Sequence, residues 1–232
     1  MKYLFSVVAM LLAVSASAAP GLFSSEGLNG WVEQTFRNKA QTAYRLVQDG
    51  GVQVLEADCA KAASGWLWKE SIDLKRTPLL RWRWKVERLP EGAPEQTKPG
   101  DDFGARVYVV RKTGLTPLSL RSVVYVWAHE APAGSDWPNP YTAKAHHVAL
   151  RSGRAGLGEW REEQRDLAAD FRRYFDIETD TVDSVALMTD CDDTGGAARA
   201  RYGDIRLEPA SKDSKPSNAA AGSKSTSLAP ET

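Results

Sequence analysis

The sequence predicts an all-β fold, a two-sheet antiparallel β-sandwich of the jelly-roll or galactose-binding-like kind with one short helix. Three observations lead there. Short runs with period-two alternation recur along the chain, separated by turn residues. No regular strand–helix–strand rhythm exists to build a doubly wound parallel sheet. Only Leu167 to Phe175 has good helical character, with Asp166 placed to cap it.

Taken in order, the runs are as follows. Thr42 to Gln48 and Val52 to Ala57 flank Asp49-Gly50-Gly51, a turn signal, and so predict a hairpin. Ser64 to Lys69 is a short strand with Trp66 and Trp68 on one face. Leu79 to Glu87 is the clearest strand. Leu80, Trp82, Trp84 and Val86 share one face, and Arg81, Arg83, Lys85 and Glu87 the other, as a sheet with one oily and one wet side requires. Leu89 to Pro99 reads as a Pro- and Gly-rich loop. Phe103 to Arg111, Ser122 to His129, His146 to Arg151, Glu159 to Arg165, Ser184 to Thr189 and Gly203 to Leu207 supply further extended segments, with a loop from Ala131 to Tyr141.

The ends fall outside this domain. Lys2, the apolar run from Leu4 to Val14 and Ala16-Ser17-Ala18 read as an export signal over residues 1–18. That run is shorter than the ~20 apolar residues of a membrane span. Residues 210–232 have Leu228 as their one large apolar side chain and read as a disordered tail. Residues 19–209 remain as one domain, expected in the periplasm or outside the cell. Acidic and basic residues balance at 30 each, leaving no basic field for nucleic acid. Eight tryptophans favour a ligand surface built partly from rings. Cys59 and Cys191 could bridge or stay apart, which spacing does not decide.

Three clusters could carry chemistry. In Asp190-Cys191-Asp192-Asp193-Thr194-Gly195, the D-x-D-x-T order resembles a phosphatase nucleophile loop, but no α/β domain follows to complete it. An EF-hand fails too, because its twelfth position is Arg201. Asp190 and Asp192 could hold a structural calcium ion or simply a turn; no cofactor is required. In Gly100 to Arg106, strand alternation would put Asp102 on the same face as Arg106 and Asp101 on that of Ala105. These could form a polar ligand face or an internal ion pair. The third cluster is aromatic: Trp127 beside Tyr125, and the loop Trp137-Pro138-Asn139-Pro140-Tyr141. Rings stack on sugar faces, and Asn, Asp and Arg bond hydroxyls. Adjacent His146 and His147 point to opposite strand faces and cannot share a metal, and no nucleophile-elbow, Walker or dinucleotide motif occurs.

Several segments together resemble one bacterial family, domain of unknown function 3047. They are LRWRWKV (80–86), DDFGARVYVV (101–110), VVYVW (123–127), NPY (139–141), the spaced Trp160, Glu163, Arg165, Asp166, Asp170 and Phe175, and MTDCDDTGGAARARYGDI (188–205). The resemblance implies an exported protein without an established activity, with Asn usual where this chain has Asp166 and Asp193. YGDIRL and the IDL…LRWRWKV series are also similar to jelly-roll carbohydrate-binding modules. The expected function is a non-catalytic sandwich binding a glycan or other polar envelope ligand, with Trp127, Trp137 and Tyr141 stacking and Asp102, Arg106 and Asn139 hydrogen-bonding. The alternatives are a polysaccharide hydrolase or lyase using the Asp clusters, and an envelope protein-interaction domain.

Overall fold

The computed structural model describes residues 21–116 and 119–210. The proposed signal over 1–18 and nearly all of the proposed tail lie outside the described residues. In chain order come helix α1 (Phe23–Glu26) and strands β1 (Trp31–Thr35), β2 (Ala43–Asp49), β3 (Val52–Ala60), β4 (Ala63–Trp68), β5 (Ile72–Asp73), β6 (Leu79–Arg88), β7 (Ala105–Lys112) and β8 (Leu120–Ala128). Then follow β9 (Asp136–Asn139), β10 (Thr142–Ser152), β11 (Arg161–Asp166), α2 (Leu167–Phe175), β12 (Thr181–Val182), β13 (Ser184–Asp190) and β14 (Ala197–Glu208).

Two sheets make the expected sandwich. The larger has order β1-β4-β13-β7-β8-β10-β9, the smaller β11-β6-β14-β3-β2, and β12 pairs with β5 alone. Pairing is antiparallel except between β10 and β8, which run parallel because β9 returns the chain before β10 begins. The β2–β3 hairpin turns on Gly50 and Gly51, both at positive φ, which a side chain would oppose.

The core lies between the sheets. From the smaller one, Leu80, Trp82, Trp84 and Val86 point inward, all at most 1% exposed. They meet Ala105, Val107 and Val109 of β7 and Val123, Tyr125 and Trp127 of β8. Trp82 stacks on Tyr125 with ring centroids 5.2 Å apart, and Trp84 meets Trp127 edge-on at 6.3 Å. Offset and edge geometries of this kind suit the ring quadrupole. The opposite face of the small sheet is a ladder of charges. Glu56 there accepts bonds from Arg45, Arg199 and Arg201. Burial pushes its carboxyl up, but those three guanidinium groups win and hold it at about 2.

Helix α2 matches its sequence signal residue for residue: Asp166 accepts the Ala169 amide at 3.0 Å. Its buried Asp170 accepts the Tyr125 hydroxyl at 2.6 Å and Arg165 Nε at 2.8 Å, so a carboxylate inside the fold is fully paired.

A second, smaller apolar cluster lies on the outer face of the large sheet. Phe103, Val124, Val126, Ala128, Ala131, Trp137 and Ala149 form it. It exists because the loop read from Ala131 to Tyr141 contains a strand, β9, which pairs with β10 and turns Trp137 onto the outer face. Pro138 is tolerated there because β9 is the sheet edge. Glu95 ties this flap down. It accepts the backbone amides of His129, Glu130 and Ala131 and faces His129 Nδ1 at 2.9 Å. Cys59 and Cys191 are joined, with Cα atoms 6.2 Å apart, linking the end of β3 to the loop after β13 across the two sheets. Among the described residues no helix is long and apolar enough to cross a membrane.

Candidate functional site

Neighbouring strands β7 and β13 run antiparallel with Arg106 opposite Met188. Alternation sends Val107 and Leu187 into the core, and Arg106, Tyr108, Met188 and Asp190 outward. These outward residues floor a cleft of about 420 Å³ on the large sheet. Its walls come from three places: Phe36, Arg37 and Lys39 after β1; Asp101 before β7 with Asn139 at the end of β9 and Tyr141 just beyond it; and Asp192 and Asp193 after β13.

Arg106, 3% exposed, is the centre of the site. Its Nε donates to Asp190 Oδ1 at 2.9 Å, its Nη2 reaches both Asp190 Oδ2 and the Asp101 carbonyl, and its plane lies over the Phe103 ring at 4.7 Å. Such a fork-to-carboxylate pair compensates both buried charges. Asp101 is less well served. Its Oδ2 accepts Asn139 Nδ2 at 2.9 Å, but Oδ1 makes no hydrogen bond; Arg106 Nη1 stands 3.5 Å away and His147 Nδ1 3.7 Å. Burial raises the Asp101 carboxyl above the ordinary range, against the pull of Arg106. Burial, with Arg106 adding to it, drives the His147 ring well below its ordinary value, so it is neutral at pH 7.

Around the mouth, Lys39 pairs with Asp192 and lies 3.9 Å from Asp193. The Tyr141 hydroxyl donates to Asp193 at 2.9 Å and stands 3.1 Å from the Lys98 carbonyl. Burial and the Asp193 carboxylate push that hydroxyl up to about 12. Burial likewise raises the Asp193 carboxyl, although the Tyr141 bond opposes this. The Tyr141 and Phe36 rings are 52% and 42% exposed, a large apolar area at the mouth of a polar cleft.

Arg106, Asn139, Tyr141, Asp190 and Asp192 thus meet in one concavity. Three other sequence expectations need correction. Trp127 is fully buried between the sheets, its Nε1 donating to the Gly153 carbonyl, and it offers no ring face to a ligand. Trp137 is 6% exposed and packs in the outer apolar cluster against Phe103 and His147. Asp102 does not share a face with Arg106. The strand begins only at Ala105, after a 3₁₀ turn over Lys98–Gly100, so alternation does not extend back to it. Asp102 instead accepts the backbone amides of Asp193 and Thr194, and Asp101 takes the place beside Arg106.

Asp102, Asp190 and Asp192 each offer an oxygen within a 4.8 Å group, the geometry from which a calcium site could start. Their oxygens are already engaged: Asp190 by Arg106, Asp192 by Lys39, Asp102 by two amides. Calcium needs six to eight free oxygen ligands. This donor set fits the protein's own cations better than a metal.

Phe36 and Lys39 complete the cleft without a signal in the sequence, whereas Asp101 and Asp193 stand in the two acidic clusters read there. Lys39 and Phe36 sit in an unpatterned polar stretch and reach the site only through the pairing of β1 with β4.

An all-β sandwich with a polar cleft on its larger sheet is therefore the class of protein defined here. The chain belongs to the family described as Protein of unknown function (DUF3047), which matches residues 29–206. No curated protein sequence matches it. Among solved structures it is similar to a family 11 carbohydrate-binding module from Clostridium thermocellum in complex with a β-1,3-1,4-mixed-linked tetrasaccharide, at 12% identity and TM-score 0.43, covering 84% of this chain and 98% of the other. A carbohydrate-binding module specific for non-crystalline cellulose is similar at 13% identity and TM-score 0.44, over 82% and 94% of the two chains. A family 12 xyloglucanase from Bacillus licheniformis follows at 11% and 0.39, over 81% and 90%.

Proposed function

We propose that this protein is an exported, non-catalytic β-sandwich that binds a glycan or other polar envelope ligand in the cleft around Arg106. The observation that carries this reading is the composition of the cleft. Two exposed rings, Phe36 and Tyr141, stand over a floor of fixed donors and acceptors. Apolar ring faces and convergent polar groups together suit a polyhydroxylated ligand, which has both kinds of surface. The Cys59–Cys191 disulfide supports an oxidising compartment, as expected for an exported chain.

Calorimetric titration with a panel of envelope-type oligosaccharides tests the reading. Tyr141→Ala should weaken the best ligand about threefold to tenfold, the worth of one aromatic contact. The fold should be unaffected, because the side chain is half exposed. Absence of any binding by the wild type across the panel would end the reading.

A second reading, a polysaccharide hydrolase or lyase, draws support from one observation: Arg106 contacts both Asp101 and Asp190, so the two acidic segments converge. Release of reducing ends or of unsaturated sugar from a bound polysaccharide, lost in Asp101→Asn, would favour it over simple binding.

A further inference from the structure

The β7–β8 hairpin ends in a feature that neither the core nor the cleft uses. Leu115, near its tip, is 97% exposed, and Leu120, where β8 begins, is 37% exposed. Among the described residues no other large apolar side chain is more than 55% exposed. A single surface leucine is ordinary, but one held wholly clear of the fold above unpaired cations is not. The loop around it is held by its own bonds. Thr113 donates to the Ser119 carbonyl through its amide at 2.7 Å and its hydroxyl at 2.9 Å. The Ser119 amide donates to the Thr116 carbonyl at 3.0 Å, and the Thr116 and Ser119 hydroxyls meet at 2.8 Å. These polar groups are satisfied within the loop, so taking it out of water would strand none of them.

Behind the leucines stand cations on both faces of the hairpin. Alternation puts Lys112 on the same face as Tyr108, and Arg111 and Arg121 on the other. Arg111 and Arg121 are cross-strand partners, and like charges directly opposite repel. Asp183 answers one of them, accepting Arg111 Nη1 at 3.0 Å. Glu178 and Asp180, on the segment running into β13, are held by Arg172 and Lys75. Among the described residues neither Lys112 nor Arg121 has a carboxylate within ion-pair reach, and Arg121 Nη1 donates to the Leu120 carbonyl. Residues 111–121 contain no acidic side chain.

We propose that this hairpin docks on an anionic lipid surface, Leu115 entering the boundary between headgroups and acyl chains while Lys112 and Arg121 meet lipid phosphates. An apolar tip with cations set behind it matches, in order, the two layers such a surface offers. A planar surface also meets both faces of a projecting hairpin at once, which is where the unpaired charges stand. The cleft lies toward the other end of β7. Arg106 precedes Lys112 by roughly 20 Å at ~3.3 Å per residue, so docking leaves the cleft open. This proposal stands apart from the glycan reading.

Vesicle flotation at low salt tests it, using the chain from Ala19 onward so that the apolar run before it plays no part. The vesicles are phosphatidylcholine, with or without about one-third phosphatidylglycerol, at lipid concentrations of about a millimolar, since so few contacts give weak, reversible binding. Binding should be at least about tenfold stronger to the anionic vesicles and should fall as salt is added. Lys112→Gln and Arg121→Gln should each weaken it about fivefold. Leu115→Ala should weaken it about threefold to tenfold. Its fold should be unchanged, because the side chain touches little. Leu115→Trp should bind more tightly, an indole being at home at that boundary. Equal binding to both kinds of vesicle, binding to neither, or flotation of Leu115→Ala like the wild type overturns the proposal. Dimers seen by sedimentation velocity without lipid, and lost in Leu115→Ala, would assign the tip to a second copy of the chain and overturn it as well.

Discussion

Replacing Glu95 by Gln should destabilise the protein by about 2–3 kcal/mol at neutral pH and abolish part of its acid sensitivity. Glu95 is 1% exposed, and its carboxylate accepts the amides of three successive residues, His129 to Ala131, while facing the His129 ring. Burial alone would push its carboxyl up. The bond from His129 and those from the backbone more than offset this, holding it at about 2 against an ordinary 4.5. That difference is worth about 3 kcal/mol at pH 7, at ~1.4 kcal/mol for each tenfold in proton affinity. Because the folded value lies below the unfolded one, the contribution is complete above pH ~4.5 and is lost as pH falls toward ~2. Gln keeps one acceptor oxygen but no charge, and turns its amide NH2, a donor, toward backbone N–H donors. Urea unfolding of both proteins from pH ~7 down to ~2 measures the effect. The wild-type curve should fall more steeply, and the two should converge near pH ~2. In a scan at pH 7 the variant should melt roughly 5–10 °C lower. Since Glu56 titrates in the same range in both proteins, only the difference between the curves is diagnostic. Parallel curves, or a loss under about 0.5 kcal/mol at pH 7, would refute the reasoning.

Other consequences are open to measurement. Breaking the Cys59–Cys191 link, which joins positions 132 apart in sequence, should cost about 2–5 kcal/mol, read as a lower urea midpoint for Cys59→Ser/Cys191→Ser or the reduced wild type. Trp127→Ala should lower stability by about 3–5 kcal/mol through an unfilled core cavity; calorimetry of the surviving folded fraction should show ligand affinity within about threefold of wild type. Asp170→Asn should cost about 3 kcal/mol, because Arg165 and the Tyr125 hydroxyl lose a buried charged acceptor, and exchange protection of the α2 amides should fall with it.

Much of the fold is legible from local pattern. Alternation in Leu79 to Glu87 defines β6 and its inward tryptophans, and Asp49-Gly50-Gly51 defines the first hairpin. Asp166 before an apolar stripe defines α2. Elsewhere, long-range pairing outweighs local signal. β9 contains Pro138 and becomes a strand only because β10 pairs with it. β14 begins at Ala197, before its sequence turns apolar, because β3 and β6 both hold it. The site is legible in part. Arg106, Asn139, Tyr141 and the Asp190 loop carry unusual polar or turn chemistry, which is visible locally. Trp127 and Trp137 are equally visible, but ring count cannot tell a wet face from a covered one. Asp101 rather than Asp102 stands beside Arg106 for a single reason: period-two alternation begins at Ala105 and does not extend into the loop before it. Glu95 gave no signal, because a carboxylate that clamps a loop by its amides has no partner nearby in sequence.

The apolar cluster outside the large sheet has a bearing on how the cleft would capture anything. Trp137 lies against Phe103, Asn139 is tied to Asp101, and Glu95 grips the chain leading into β9. The flap bearing Asn139 and leading to Tyr141 is therefore fastened from beneath before any visitor arrives. Little chain entropy remains to be lost on docking. Encounter should then proceed in a single fast step, with affinity differences among visitors expressed in how long they stay.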